Sequence, residues 1–338
     1  MTKILVTGAT GFIASQLLFD LLDKGYEVRG TARNTGKAER LKKTLSDYAG
    51  RPIDIELVSA DLSDDSGWAE AMDGVTFVHH VASPFPPTEP KSADELVRPA
   101  RDGALRVLKA AEAAGVKRVV MTSSIAAISA GWAGREPPMF DETYWTDMTR
   151  PDKVSYYSQS KTLAERAAWE YVGMDGVGLE LAVINPGAVL GPAMSKDVST
   201  SLSMVTAPMN REMPAYPKLH QSVVDVRDVS KAHIAAMQKT DAAGERFIVC
   251  ADTLWFKEVG DILAKAYPNR KIPTRELPTW LARILSNFNP QIKPILPNLG
   301  NERLYDNRKA REQLGIEFTP AKDSILASAK SAEDLELV

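Results

Sequence analysis

The feature that most constrains this chain is a glycine-containing turn that directly follows its first predicted strand. Residues 3–7 form a short apolar run, typical of a buried parallel strand, and residues 12–24 carry apolar side chains at helical spacing. Between them the sequence reads Gly8-Ala9-Thr10-Gly11. Glycines allow a tight turn and a close backbone approach to a pyrophosphate, while the N-terminus of the next helix adds N–H groups and a positive dipole. The unit therefore predicts a dinucleotide-binding turn.

A tight strand-to-helix turn without a ligand is the alternative interpretation. The spacing G-x-x-G-x-x-A, which ends at Ala14, does not match the usual fingerprint G-x-G-x-x-G literally. The position of the turn, after the first strand at the start of the chain, favours the dinucleotide site.

Strand-like and helix-like segments alternate along the chain as far as about residue 184. Further strands are predicted at 26–32, 53–58, 75–81, 117–121 and 179–184, and further helices at 37–48, 93–114 and 154–171. Repeated β-α-β order implies a parallel sheet with helices on both faces. We therefore predict an α/β fold, a Rossmann-type doubly wound parallel sheet with a smaller, mostly α-helical substrate-binding lobe.

The pattern changes after Asn185, where frequent prolines break the chain into loops and short pieces. A strand is predicted near 223–226, a helix near 229–238, and a further strand near 246–250 that returns to the main sheet. The Rossmann domain would then comprise residues 1–184 and about 224–252, and the lobe about 185–223 and 253–338. Ligands of open parallel sheets bind at the carboxyl ends of the strands, so the lobe would close over that edge.

The composition of the chain limits the kinds of binding partner that we expect. The 41 Lys and Arg against 44 Asp and Glu give a net charge of −3, so nothing suggests nucleic acid or an acidic membrane as a partner. We find no apolar run of the roughly 18 residues that a membrane span needs. The single cysteine, Cys250, suits a reducing compartment, and the four histidines lack the company that a metal site requires. We therefore expect a cytoplasmic protein without a metal, either a monomer or a homodimer.

The end of the second strand indicates which dinucleotide is preferred. NAD-binding chains usually carry Asp or Glu there to accept a hydrogen bond from the ribose 2′-hydroxyl. This strand instead ends at Ala32-Arg33, with Lys37 four residues on. Cations suit a 2′-phosphate, so NADP(H) is favoured over NAD(H); two solvated cations at a helix start are the alternative. Asp61 and Leu62, after the third strand, could contact the adenine.

A tyrosine and a lysine are spaced for acid–base chemistry. Tyr157 and Lys161 stand at i and i+4 on a predicted helix and so share one face, although surface packing is the default for such a pair. A nearby cation stabilises a phenolate and lowers the tyrosine pKa toward neutrality. The fifth strand ends at Thr122-Ser123-Ser124, where a hydroxyl can hold a carbonyl oxygen. Asn185-Pro186-Gly187 follows the sixth strand and either shapes the nicotinamide pocket or merely ends the strand.

Together these motifs resemble the extended short-chain dehydrogenase/reductases, and most closely the dihydroflavonol reductase-like group of ketone and aldehyde reductases. The likeness covers nearly the whole chain to about residue 250. It is carried by Thr7-Gly8-Ala9-Thr10-Gly11-Phe12-Ile13-Ala14, Arg33 with Lys37, Val81-Ala82-Ser83-Pro84, Thr122-Ser123-Ser124, Tyr157-Ser158-Gln159-Ser160-Lys161, Asn185-Pro186-Gly187 and Val224-Asp225-Val226-Arg227-Asp228.

The resemblance implies a role for each site residue. Tyr157 would be the proton donor to the carbonyl oxygen, and Lys161 would bind the nicotinamide ribose and lower the tyrosine pKa. Ser124 would hold the same oxygen, because the family's catalytic hydroxyl is the last residue of its triplet. The remaining expected cofactor contacts are Gly8, Gly11, Phe12 and Ile13 at the pyrophosphate, Arg33 and Lys37 at the 2′-phosphate, Asp61 and Leu62 at the adenine, and Val81, Ala82, Ser83 and Pro186 around the ribose and nicotinamide.

One departure concerns the long helix predicted at 93–114. Many single-domain relatives carry an asparagine there as a fourth catalytic residue, whereas this chain reads Arg98-Pro99-Ala100-Arg101-Asp102-Gly103. The missing asparagine leaves the path of the proton undetermined, but it does not change the expected reaction class.

The expected function is reduction of a small ketone or aldehyde by NADPH. A nucleotide-sugar epimerase or dehydratase using bound NAD is the alternative on the same scaffold, and a non-catalytic dinucleotide sensor is a third. Several aromatic residues could line an apolar substrate pocket, although packing is the simpler role for each: Phe85, Trp132, Phe140, Trp145 and Tyr216.

Overall fold

The computed structural model describes residues 2–33, 35–84, 90, 92–196, 199–287, 295–296 and 298–338. Seven parallel strands form the central sheet of this part of the chain: β1 (Lys3–Val6), β2 (Glu27–Ala32), β3 (Glu56–Ser59), β4 (Phe77–His80), β5 (Arg118–Thr122), β6 (Glu180–Pro186) and β10 (Arg246–Val249). Their spatial order is β10-β6-β5-β4-β1-β2-β3. The order reverses direction between β1 and β4, as in doubly wound sheets. The predicted Rossmann-type fold is confirmed.

Helices cover both faces of this sheet because each presents an apolar stripe to it. On one face lie α1 (Phe12–Asp23), α2 (Thr35–Ala49) and α7 (Val226–Gln238), and on the other lie α3 (Trp68–Met72), α4 (Asp94–Ala113) and α5 (Tyr156–Val172). Leu17 and Val229 are fully buried on the first face, and Leu108 and Ala168 on the second. The predicted helices are therefore present, with ends shifted by a few residues.

The remaining elements pack beside the sheet and form two further small sheets. One contains β7 (Ala188–Leu190), β9 (His220–Asp225) and β11 (Asp252–Trp255), and the other contains β8 (Tyr216–Pro217) and β12 (Glu276–Leu277). The associated helices are α6 (Ser203–Met209), α8 (Phe256–Ala266), α9 (Thr279–Leu285) and α10 (Ala321–Asp334). None of the helices described is long and apolar enough to cross a membrane. The division of the chain into two domains stays a prediction.

The motif Val224 to Asp228 joins the late part of the chain to the main sheet. Asp225 is fully buried, caps α7 by accepting the Arg227 N–H at 2.9 Å, and forms two further bonds with the Arg227 guanidinium. Asp228, also fully buried, accepts the backbone N–H of Thr319 at 2.6 Å. The two carboxylates thus fix the start of α7 and attach the segment that leads into α10.

A buried arginine on β5 caps the C-terminal end of α7. Arg118 is 1% exposed, and its guanidinium donates to the carbonyls of Ala236 at 2.7 Å and Lys239 at 2.5 Å, at the end of α7. Its Nε also donates to Glu180 at 2.8 Å. The last carbonyls of a helix lack partners within the helix, so a buried cation satisfies them and complements the helix dipole.

Arg118→Met should therefore destabilise the protein without changing its fold. The methionine fills most of the space but leaves the carbonyls of α7 and the Glu180 carboxylate without their donor, which should cost about 2–4 kcal/mol of unfolding free energy. Urea denaturation measures this loss. Arg51→Met is the control, since Arg51 is exposed and pairs with Asp23 only at the surface. Equal stability of the two variants would contradict the capping role.

Candidate active site

The glycine turn has the geometry that its sequence predicts. Gly8 adopts a positive φ of +67°, and a Cβ there would lie 3.0 Å from the Cα and Cβ of Ala82, so a larger residue would collide with the loop after β4. The Gly8 N–H donates to the Thr31 hydroxyl at 3.1 Å, and the Gly11 N–H donates to the Gly8 carbonyl at 2.9 Å. The turn is therefore held tightly between the ends of β1, β2 and β4.

The turn opens directly into the N-terminus of α1. Gly11 is the N-cap residue, and within the described residues neither a capping side chain nor an acidic residue occupies the first turn. The first N–H groups of this 12-residue helix, including those of Phe12 and Ile13, lack intrahelical acceptors. Together with the helix dipole they can hold an anion of pyrophosphate type, so the turn fits a dinucleotide.

Two exposed cations lie at the end of β2 and at the start of α2. Arg33 directly follows β2 and Lys37 lies in the first turn of α2, both exposed. The Asp61 carboxylate accepts the backbone N–H and hydroxyl of Ser63 at 2.8 and 2.7 Å, and these bonds lower its pKa. Both of these bonds are made by Asp61 Oδ1, while the Asp61 backbone carbonyl accepts the Trp68 Nε1–H at 3.0 Å, so within the described residues Oδ2 is the Asp61 oxygen that a ligand could contact.

Leu62, the next residue, packs against α4. A Cβ on Gly103 would lie only 2.9 Å from the Cβ of Leu62, so glycine allows the close approach of this helix to the loop after β3. This packing explains why a residue as small as Gly103 is needed in α4, the helix on which many single-domain relatives carry an asparagine.

The loop after β4 is tied to the end of β1 by one threonine. The Ala82 N–H donates to the Thr7 hydroxyl oxygen at 3.1 Å, and the same hydroxyl is hydrogen-bonded to Nδ1 of His80, 3.0 Å away. Burial, helped by the nearby charge of Lys161, lowers the pKa of His80 to about 3. Val81 and Ala82 are half-buried beside this bond, and Ser83 is exposed.

The N-terminal part of α5 carries the predicted acid–base pair. Ser155 caps the helix by accepting the Ser158 N–H at 3.1 Å. Tyr157 lies in the first turn and is 39% exposed, whereas Lys161, one turn later, is buried. One turn further along α5, Glu165 accepts a hydrogen bond from Ser123 after β5. In addition to burial, the Lys161 charge lowers the pKa of His80 at the end of β4, so both observations place the lysine near these strand ends. The structure thus brings Lys161 and the loop after β4 to the same edge of the sheet, with Tyr157 open to solvent.

The hydrogen-bond directions separate the two serines after β5. Ser124 caps the short helical turn 125–127, its Oγ accepting the Ala126 N–H at 3.1 Å, so within the described residues its own proton remains to be donated. Ser123 donates its proton to the Glu165 carboxylate at 2.5 Å. Ser124 is therefore the better candidate for holding a carbonyl oxygen, in line with the sequence-based choice.

Asn185 and Pro186 end β6 next to these serines. The Asn185 amide donates to the Ser124 carbonyl at 3.2 Å and to Glu165 at 2.8 Å, while Pro186 is buried and pairs with Val249 of β10. From the sequence, Asn185 either shapes the nicotinamide pocket or merely ends a strand. Its hydrogen bond to the Ser124 carbonyl is visible only in the structure.

Two residues of this edge were missed by the sequence analysis. Glu165 is fully buried one turn after Lys161, and Arg246 on β10 donates to it. A signal for Glu165 existed: Tyr157, Lys161 and Glu165 repeat every four residues along one helix. Arg246 gave no such signal, because its partner lies 81 residues away.

The candidate pocket aromatics divide into two groups. Phe140 and Tyr216 are fully buried in separate hydrophobic clusters and serve as core residues. Trp132 and Trp145 are half-buried, with the Trp132 Nε1–H donating to the Trp145 carbonyl at 3.0 Å. Phe85 lies outside the described residues.

A pair of buried histidines lies beneath the same edge. His79 and His233 approach through their Nδ1 atoms at 3.3 Å, and His233 Nε2 contacts the Thr122 hydroxyl at 2.9 Å. Burial lowers the pKa of His233 to about 3 and that of His79 well below its ordinary value. With pKa values lowered in this way, both histidines are neutral near pH 7 and act as hydrogen-bonding groups. Among the described residues no cluster of three or more potential metal ligands occurs.

The comparisons with known proteins agree with this geometry. Residues 4–250 match the model of the NAD dependent epimerase/dehydratase family. The chain is 35% identical to cinnamoyl-CoA reductase 1 of Arabidopsis thaliana over 333 residues, covering 98% of this chain and 89% of that one. Dihydroflavonol 4-reductase of Dianthus caryophyllus is 32% identical, with 80% and 75% covered. Yeast methylglyoxal/isovaleraldehyde reductase Gre2 complexed with NADPH has a TM-score of 0.82 at 29% identity, with 99% of each chain covered.

A doubly wound sheet with a glycine cradle and a Tyr-x-x-x-Lys helix defines a dinucleotide-binding protein of the Rossmann class. This chain belongs to the NAD dependent epimerase/dehydratase family, the extended short-chain dehydrogenase/reductases, and its relatives include cinnamoyl-CoA and dihydroflavonol reductases. The family resemblance predicted from the motifs is confirmed.

Acidification should destabilise the protein through the buried histidines. In the unfolded chain each histidine titrates at its ordinary pKa of about 6.5, but in the fold their pKa values are lowered. The unfolded state therefore binds more protons below about pH 6.5, and each such histidine removes up to about 1.4 kcal/mol of stability per pH unit as the pH falls toward its folded pKa. Urea unfolding between about pH 7 and pH 4.5 measures the slope.

A His233→Asn variant provides the comparison for this slope. It removes one titrating group, so its stability should fall less steeply with acidification over the same pH range. Parallel pH dependences for the wild type and the variant would contradict the contribution of His233.

Proposed function

We propose that this protein is an NADPH-dependent reductase that converts a ketone or aldehyde to the alcohol by hydride transfer. The observation that carries the proposal is the Ser124 hydroxyl proton, which has no acceptor within the described part of the chain, at the same sheet edge as Lys161 and beside the helix that carries Tyr157. A hydroxyl donor, a phenol and an ammonium at one edge suit stabilisation of oxygen charge during reduction of a carbonyl.

The cofactor proposal rests on the fit of the turn and on the relatives. Gly8, Gly11, Phe12 and Ile13 would hold the pyrophosphate, and Arg33 with Lys37 would hold the 2′-phosphate. Asp61 and Leu62 would meet the adenine, and Val81, Ala82, Ser83 and Pro186 would flank the ribose and nicotinamide. NADPH is bound by the similar yeast reductase, which supports NADP(H) over NAD(H).

In this proposal the protein's own residues bind the carbonyl oxygen of the substrate and deliver one proton to it. The bound nicotinamide supplies a hydride to the carbonyl carbon. Ser124 donates a hydrogen bond to the carbonyl oxygen, and Tyr157 delivers its phenolic proton to that oxygen as negative charge develops. The Lys161 ammonium stabilises the phenolate that remains, and its burial strengthens this attraction because the surroundings are less polarisable than water. Solvent then reprotonates Tyr157, which is partly exposed.

The basic end of β2 separates this proposal from the epimerase alternative. Enzymes that recycle a bound NAD usually place a carboxylate at that point, whereas this chain has Arg33 there. A carbonyl panel that includes ketones, aldehydes and acyl thioesters, followed through NADPH absorbance, tests the reaction class and the substrate class together.

Tyr157→Phe should abolish turnover while leaving NADPH binding intact. The change removes one hydroxyl, and loss of a positioned general acid typically lowers kcat by about 10²–10⁴-fold. Steady-state kinetics and NADPH fluorescence titration measure the two properties. Tyr156→Phe is a matched control, since Tyr156 is adjacent and 40% exposed. Retained activity in Tyr157→Phe would rule out its assignment as the donor.

Arg33→Ser should weaken the preference for NADPH. Loss of a phosphate contact of a guanidinium should raise the KM for NADPH by about 10- to 100-fold, since charge-assisted bonds contribute about 1.5–3 kcal/mol, and leave the KM for NADH nearly unchanged. Lys43→Ser, which removes an exposed cation further along α2, is the control. An unchanged ratio of the two KM values would place the 2′-phosphate elsewhere.

A further inference from the structure

One buried carboxylate joins the four elements that meet behind the proposed catalytic residues. Glu165 is fully buried on α5, and its Oε2 accepts the Ser123 hydroxyl at 2.5 Å and the Asn185 amide at 2.8 Å. Its Oε1 accepts Nε of Arg246 at 2.5 Å. We call Glu165, Ser123, Asn185 and Arg246 the carboxylate network. It connects α5 with the carboxyl ends of β5 and β6 and with β10.

The network reaches Ser124 along two independent routes. Ser123 is its chain neighbour, so fixing the Ser123 side chain on Glu165 fixes the peptide that leads into Ser124. Asn185 donates one hydrogen bond to Glu165 and a second to the Ser124 carbonyl at 3.2 Å. The backbone of Ser124 is thus held on both sides by groups that depend on the same carboxylate.

The opposite end of the network holds the loop that follows Ser124. Arg246 donates to the carbonyls of Glu142 and Tyr144, both at 2.9 Å, and its guanidinium lies 3.7 Å from the ring centre of Trp145. The Thr146 hydroxyl then donates to the Ala126 carbonyl at 2.7 Å. This second link returns to the helical turn that Ser124 caps, so the loop and the turn support each other.

We propose that Glu165 is a positioning residue that sets the place of the Ser124 hydroxyl relative to Tyr157 and Lys161. Glu165 stands on the same helix as Tyr157 and Lys161, so its bonds to Ser123 and Asn185 fix the distance between that helix and the end of β5. The inference rests on the proposed reductase function.

The distance between α5 and the end of β5 must be accurate if the catalytic groups are to act together. Donors that stabilise a developing oxyanion act within about 0.5 Å of their productive positions, and a displacement of about 1 Å costs roughly 10²-fold in rate. A buried carboxylate is expensive unless every donor around it is in place, so its geometry is narrowly defined once the donors are present. These requirements suit a group that holds two catalytic elements at a fixed separation.

A purely stabilising role is the competing explanation, because loss of a buried charge network also lowers stability. The two roles differ in what they do to kinetics. A stabilising residue lowers the fraction of folded enzyme, whereas a positioning residue lowers kcat of enzyme that is fully folded and binds NADPH normally. Among the described residues, no hydrogen bond links the carboxylate network to Gly8 or Arg33 of the cofactor cradle, so NADPH affinity provides an internal reference.

The test begins with Glu165→Gln, which preserves size but replaces one acceptor oxygen by a donor. At a temperature where the variant is fully folded, we expect kcat to fall by about 10- to 100-fold with the NADPH dissociation constant unchanged within about twofold. Asp228→Asn is the matched control, since Asp228 is also fully buried and accepts a backbone N–H, but lies in the segment that anchors α10. It should lose stability and keep kcat.

A double-mutant cycle with Ser124→Ala shows whether Glu165 acts through Ser124. If it does, Glu165→Gln should reduce kcat by less than about threefold once the Ser124 hydroxyl is gone, because coupled residues are not additive. Should Glu165→Gln fail to fold, Ser123→Ala removes a single bond of the network and should lower kcat by about 3- to 10-fold at unchanged NADPH affinity.

The outcomes separate this inference from the proposed function. A wild type that turns over carbonyls beside a Glu165→Gln variant with the same kcat overturns the positioning role alone. Additive effects in the cycle overturn the action through Ser124. A wild type without turnover across the carbonyl panel overturns the proposed function, and the positioning role with it.

Discussion

The parallel register of the central sheet is the constraint on which the rest of this molecule depends. β1, β4, β5 and β6 all run in one direction, so the residues that follow them emerge at one edge. The glycine turn, the loop of Ala82, Ser124 and Pro186 come from distant parts of the sequence and meet there without any long-range signal of their own. A change in the direction of one strand would separate them.

Meeting at one edge creates a second requirement, since the polar groups gathered there are largely buried. Thr7 satisfies Ala82 and His80 with one hydroxyl, and Glu165 satisfies donors from three other elements. Unpaired, such groups would cost about 1–3 kcal/mol each. Hydrogen bonds therefore hold the elements together at this edge, as apolar packing does in the sheet interior. Because each hydrogen bond is directional, it also fixes the orientation of the groups that it joins.

That difference explains how much of the molecule could be predicted from the sequence. The order of strands and helices was predictable, because periodicity and glycine stops are local and the β-α-β rules are strict. The elements after Asn185 were located only partly: the strand predicted near 246–250 joins the main sheet as β10, whereas the sequence did not show that the strand near 223–226, β9, pairs with β7 and β11 in a separate sheet. Proline-rich segments lack a period that would show which sheet they join.

Within the site, residue types were predictable but bond directions were not. The family resemblance favours Ser124 over Ser123, but the physical difference between the two serines, the acceptor beside Ser123 and the N–H beside Ser124, appears only in the structure. Along α5 the row Tyr157, Lys161, Glu165 passes from an exposed phenol through a buried ammonium to a buried carboxylate. The Glu165 carboxylate can be buried because Ser123, Asn185 and Arg246 donate hydrogen bonds to it. One helix therefore presents a phenol to solvent at one end of this row and, at the other end, an anion whose desolvation is offset by donors from three other parts of the chain.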